Sequence, residues 1–183
     1  MPDRRETYYH ERLTEFGRQY ANFHPLLVEI ALNFLYTYDV FHQIVTRYMS
    51  RYGLSKSSFN ILMLLRHGPN EGMQLHELGE LLLVSKANIT GIIDHLEQMG
   101  YVKRVVDTQD RRARRARITR KGESLLEELV PKHFLNLKIL LQDLTTGEKE
   151  MLLTLLKKMR ASLTAHSGAC DPASAPACGA VRQ

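Results

Sequence analysis

The chain has 183 residues, 44% hydrophobic and 25% charged, an ordinary globular composition with length for one domain of roughly 100 to 200 residues. Its longest apolar runs, Ile61 to Leu65 and Leu81 to Val84, fall far short of the roughly 18 to 20 residues a membrane-spanning helix needs. Cys170 and Cys178, both in the last 14 residues, cannot staple the body or complete a four-cysteine zinc site. The opening Met1-Pro2-Asp3-Arg4-Arg5-Glu6 lacks the apolar core of an export signal, so the expected location is the cytoplasm. The net charge of +5 is unevenly spread: nine Lys and Arg between Lys103 and Lys121 face Asp107 and Asp110, giving +7 there and −2 elsewhere. Such a segment is either the footprint of a polyanion partner or a solvated charged loop, and its neighbours decide between them.

Residues 1 to 23 read as a polar arm with aromatics and one short helix. Pro25 suits the first turn of a helix, and Leu27, Ile30, Phe34, Phe41, Val45 and Tyr48 recur at helical spacings, which predicts a long helix over 24–53 ending near Gly53. Ser55 is placed to cap a second helix carrying Phe59, Leu62, Met63 and Leu65, stopped by Gly68 and Pro69. A third helix is expected from about Gln74 to Leu82, then a tight turn at Leu83, Val84 and Ser85, then a fourth helix from Lys86 to Met99 closed by Gly100. Two short helices joined this way form a helix-turn-helix signal. On the fourth helix Ile89, Ile92, Ile93, Leu96 and Met99 share one face, and Ala87, Thr90, Gly91, Asp94 and Gln98 share the other, with Asn88 and His95 on the flanks. The second face is the presented one, and Lys86 stands at the end where recognition helices meet base edges and phosphates.

Tyr101 to Val106, the turn Asp107-Thr108-Gln109-Asp110, and Ala113 to Ile118 predict a β-hairpin with a basic tip. Thr119 is placed to cap a helix carrying Leu125, Leu126, Leu129 and Val130, with a bend or short break expected near Pro131 before it resumes through Leu137, Leu140, Leu141 and Leu144. Thr145 to Glu148 form a capping box, and Leu152, Leu156, Met159 and Leu163 behind it give a narrow apolar seam. Residues 167 to 183 have the composition of a disordered tail.

A mainly α chain with a small β-hairpin wing, in this order, is a winged helix-turn-helix. The run Leu75 to Val102 and the wing Asp107-Thr-Gln-Asp-Arg-Arg-Ala, followed by Ile118-Thr119 and Gly122, resemble the multiple antibiotic resistance regulator (MarR) family, over about residues 25 to 165. The wing motif is the specific part. The resemblance implies a homodimeric transcriptional repressor or regulator on double-stranded DNA with a pseudo-palindromic operator. Its dimerisation helices would lie at 24–53 and 123–166, flanking a DNA-binding domain at 54–122. DNA contacts are expected from Ser85, Lys86, Ala87, Asn88, Thr90 and Gly91, and from Asp110, Arg111, Arg112 and Arg114 of the wing. Family members often respond to a small aromatic ligand or an oxidant. Where many carry basic residues in the fourth helix, this chain has Gly91 and His95, so base readout falls to Lys86, Asn88 and Thr90, with Ala87 and Gly91 allowing close approach. The cysteine of the family's peroxide sensors has no counterpart near the first long helix.

Other readings stand beside these. Arg111 and Arg112 either insert in a minor groove, held by Asp110, or form surface ion pairs. Twelve of the 14 Phe and Tyr residues lie in the first 60 positions. They are either core and dimer interface or a pocket for an aromatic ligand, with His24, Phe34, Tyr38, Phe41 and His42 as its candidate residues. His76-Glu77 and His10-Glu11 lack a second histidine four residues on and read as surface residues. No cofactor, metal or catalytic motif is expected. The alternative function is a winged-helix module that binds protein, which the basic wing would suit only with a strongly acidic partner.

Overall fold

Pro25 opens the first long helix of the chain, where its missing N–H is no loss, and in the computed structural model that helix, α1, spans Pro25–Ser50. The structure describes residues 12–13, 15–107 and 114–166. Residues 12–13 and 15–17 are helical. The Ser55 side chain accepts from the backbone N–H of Ser58 at 3.0 Å and starts α2, Lys56–His67. A two-residue strand, β1 at Met73–Gln74, leads into α3, Leu75–Leu82, whose entry is fixed by Glu77 accepting from the Gln74 N–H at 2.8 Å. After the turn at Leu83 comes α4, Lys86–Gln98, and Gly100, at φ 77°, takes the left-handed position beyond its end.

Strands β2, Val102–Val106, and β3, Arg114–Ile118, pair antiparallel, with Lys103 opposite Arg117 and Val106 opposite Arg114. Strand β1 joins the other edge of β3, giving the order β1-β3-β2. The sequence showed a hairpin only; a two-residue strand carries too little pattern to be read. Thr119 accepts from the Gly122 N–H at 3.2 Å and opens α5, Arg120–Leu140. The capping box of Thr145 and Glu148 opens α6, Thr146–Ala165.

Chain contacts divide the molecule into two units, Met1–Glu127 and Glu128–Gln183. In the first, Leu54, Phe59, Ile61, Leu62, Leu65, Leu78, Ile89, Ile93, Leu96, Val102, Ala116 and Leu126 are buried, and α1 adds only Val45 and Met49. Of the other positions in the α1 series named above, Leu27, Ile30, Phe34 and Phe41 are exposed, Leu27 by 62%, and Tyr48 is half-buried. In the second unit α6 has no buried residue, and Met151, Leu152, Leu153, Leu155, Leu156 and Leu163 are all exposed. Exposed apolar side chains thus extend beyond Leu152, Leu156 and Leu163 of the expected seam to Met151, Leu153 and Leu155, while Met159 is half-buried. Of the bend or short break expected at Pro131, the break is absent: α5 is one continuous helix through it. The proline removes a single N–H donor, and the helical bonds on either side hold the strand of backbone in register.

Candidate nucleic-acid interface

Hydrophobic spacing positions α4. Ile89, Ile93 and Leu96 are buried, and this leaves Lys86, Ala87, Asn88, Thr90, Gly91, Asp94, His95 and Gln98 exposed. Ser85, also exposed, caps the helix through a long 3.4 Å bond from the Asn88 N–H. The Thr90 hydroxyl donates to the Lys86 carbonyl at 3.0 Å, which leaves its oxygen lone pairs as free acceptor capacity on an exposed residue. A Cβ built on Gly91 would meet no atom within 4 Å. The helix is thus bare at mid-face, and a ligand backbone has room to approach its main chain.

Two ion-pair clusters attach the wing. Arg104 of β2 bridges Asp94 at 2.6 Å and Glu97 at 2.5 Å on α4, while Glu97 also accepts from the Arg104 backbone N–H at 2.9 Å. That backbone bond, against some desolvation and aided by the guanidinium, holds the Glu97 carboxyl below the usual carboxylate range. Asp94, grouped by sequence with the presented face, therefore has its charge met by Arg104. At the hairpin's other end Asp107 is buried; it accepts from Arg115 Nε at 2.6 Å and from Gln74 Nε2 at 2.7 Å. Arg115 Nη1 also donates to the Gly72 carbonyl at 2.9 Å, so one arginine ties β3 to both flanks of the strand.

These clusters divide the basic segment. Arg104 and Arg115 are committed to the fold, Lys121 donates to the Met99 carbonyl at 2.8 Å and lies 5.1 Å from the Tyr101 ring centre, and Arg120 stands 3.7 Å from Glu123. Arg114, exposed at the start of β3, has no ion-pair or hydrogen-bond partner among the described residues, and neither have Lys103 and Arg117. Asp110, Arg111 and Arg112 lie outside the described residues, as do Cys170 and Cys178. Sequence reasoning missed the supporting roles of Gln74, Glu97, Arg104, Asp107 and Arg115, because each partner lies on a different element.

The aromatic candidates do not converge within one chain. His24 precedes α1 and is exposed, as are Phe34, Tyr38 and Phe41, whereas His42 is half-buried. The 18 positions from His24 to His42 span about 27 Å of helix axis, too far for one small pocket. Part of the set does meet: Tyr38 stacks on His42 with ring centres 5.5 Å apart, and Lys56 Nζ is 5.8 Å from the Tyr38 ring. Among the described residues no cluster of His, Cys, Asp and Glu is suited to a metal, and no helix is long and apolar enough to cross a membrane.

Known proteins share this fold. The model of the MarR family matches residues 54–113, from α2 to the wing. A transcriptional repressor of Bacillus subtilis, YetL, is 30% identical over 147 residues, covering 80% of this chain and 88% of that protein. A MarR protein from Peptoclostridium difficile superposes with a TM-score of 0.64 at 25% identity, covering 79% of this chain and 91% of its own. Sco3205 of Streptomyces coelicolor, a MarR family regulator solved in complex with DNA, shares the fold with a TM-score of 0.68 at 18% identity, covering 73% of this chain and 85% of its own. A relative matched over most of its length, on top of the same order of helices and wing, makes this chain a member of the MarR family of winged helix-turn-helix transcriptional regulators, which are not enzymes.

Proposed function

We propose that the protein acts in the cytoplasm as a homodimeric, sequence-specific repressor on a pseudo-palindromic operator. The observation that carries this is the exposed outer face of α4, where Ser85, Lys86, Ala87, Asn88, Thr90 and Gly91 form a surface that, among the described residues, has no partners beyond the helix itself. A helix so presented fits the major groove, and the wing arginines reach the flanking backbone and minor groove. Arg114 belongs to that wing set, and Asp110, Arg111 and Arg112 complete it as proposed on the family motif. The repressor named above and the family member solved with DNA support this reading. Two-fold pairing through the exposed apolar faces of α1 and α6 would present two recognition helices about one turn of DNA apart. Release follows when a small aromatic or phenolic compound binds near Tyr38, His42 and Lys56 and favours a spacing that does not fit DNA.

Genomic fragments captured by the purified protein identify the operator, and fluorescence anisotropy at several salt concentrations tests the contact model. The expected log–log slope is steep, about −5 or more negative, for six or more neutralised phosphates. A slope near zero between about 50 and 200 mM salt overturns the proposal and favours a protein-binding module.

A further inference from the structure

The cations Lys103 and Arg117 stand directly opposite each other on β2 and β3, and like charges so placed destabilise a strand pair. Neither has a partner among the described residues. Side chains alternate across a strand, so Arg104, which reaches Asp94 and Glu97 of α4, takes one face of the sheet and Lys103 and Arg117 take the other. There they border a cleft of about 290 Å³ with Arg66 from the last turn of α2, Asn70 from the following loop, and Arg120 and Glu123 from the first turn of α5. Four cations meet one carboxylate around this space. Arg66 has a local reason to be there, since a cation suits a helix C-terminus. The strand pair has none.

From this juxtaposition we infer that the cleft at the root of the wing is a binding site for a phosphoryl group. A phosphate monoester or diphosphate brings close to two negative charges and three acceptor oxygens, which matches cations arriving from a helix end, two strands and a second helix. A lone carboxylate would leave much of that charge unmatched. The volume, near the lower end of small-molecule clefts, admits the group with a small organic portion. The cleft lies about 10 Å along the strands from Arg114, away from the end of the hairpin that carries the wing arginines. The phosphoryl group has two sources, a free small molecule or the backbone of bound DNA, and only the second rests on the DNA-binding proposal.

The experiment begins without DNA. The full chain is titrated with pyrophosphate and with inorganic phosphate against sodium chloride at matched ionic strength, followed by thermal shift and calorimetry. A saturable rise in melting temperature is expected for the wild type. Lys103→Gln/Arg117→Gln should weaken binding by about tenfold or more, yet melt no lower than wild type before phosphate is added, because the opposed charges are gone. Glu123→Gln should bind more tightly, and Arg18→Gln/Arg51→Gln, which removes two cations that do not line the cleft, should bind as wild type does. Should the double variant fail to fold, Arg66→Gln and Lys103→Gln singly carry the same expectation. In the second arm, operator affinity is measured without phosphate. Unchanged affinity in the double variant assigns the site to a free ligand. A loss with the salt slope shallower by about 2 assigns it to the DNA backbone. An equal thermal response of wild type and double variant, as general salt exclusion produces, together with unchanged operator affinity and slope, overturns the inference.

Discussion

Leu83 closes the turn between α3 and α4 at φ 52°, in the left-handed region where a Cβ costs about 1 kcal/mol, and its side chain is 93% exposed, so no packing offsets the cost. Leu83→Gly is expected to stabilise the protein by about 0.5 to 1 kcal/mol, read as a higher urea midpoint at constant m-value; a lower midpoint would mean that the leucine is covered in solution. Glu97 gives a prediction in pH. Because Arg104 holds its carboxyl below the usual range, the stabilisation is full above the ordinary carboxylate pKa of about 4.3 and is lost as pH falls through the lower folded value. The side chain is more than a third exposed, so the contribution is below about 1 kcal/mol. Urea midpoints measured from neutral pH downward should show wild type and Glu97→Gln converging only on the acid side; a constant gap would assign the loss to packing. Residues differ in how plainly a sequence discloses them. Ser55, Thr119 and Thr145 act on N–H groups three residues away and were legible as caps. Asp107 reaches Gln74 across 33 positions, and Lys103 faces Arg117 through strand register, which no local spacing encodes.

At the scale of elements, hydrophobic period settled α4 because its buried positions 89, 93 and 96 leave the remaining face free whatever the partner. The same rule was less decisive for α1 and α6. Their apolar positions have helical spacing yet are exposed in a single chain, since periodicity names a face to be covered without naming the cover. Propensity misled at Pro131 only as to a break. A proline inside a helix costs about 3 kcal/mol relative to alanine, but α5 carries it without interruption. Pro131→Ala is therefore expected to raise the melting temperature, by up to the equivalent of about 3 kcal/mol, with helical circular dichroism unchanged or slightly greater. A lower melting temperature would show that neighbouring side chains are fitted to the helix axis the proline imposes.

For the whole molecule the governing quantity is apolar surface with nothing on it. Leu26, Leu27, Ile30, Phe34, Leu35, Tyr38, Val40 and Phe41 of α1 are exposed, and in the second unit Phe134, Leu135, Ile139, Met151, Leu152, Leu155, Leu156 and Leu163 are too. Isolated exposed leucines are ordinary, but faces this extended are characteristic of an interface. Each large side chain buried in a partner contributes about 1.5 to 3 kcal/mol before the cost of association is subtracted, so a handful suffices for a stable pair. Light scattering of the full chain should give twice its 21.1 kDa. Leu152→Glu/Leu156→Glu places two charges in the α6 stripe and should give a monomer that keeps its helical signal, because neither residue is buried in the single chain. Deletion from Ser167 onward should leave the mass at two chains, whereas deletion from Thr145 should not. Operator affinity of the glutamate variant should fall by about a hundredfold or more, since each half-site then binds without the effective concentration that the paired helix supplies. A folded dimer in the glutamate variant with undiminished operator affinity would move the interface off α6 and leave the α1 face to carry it alone.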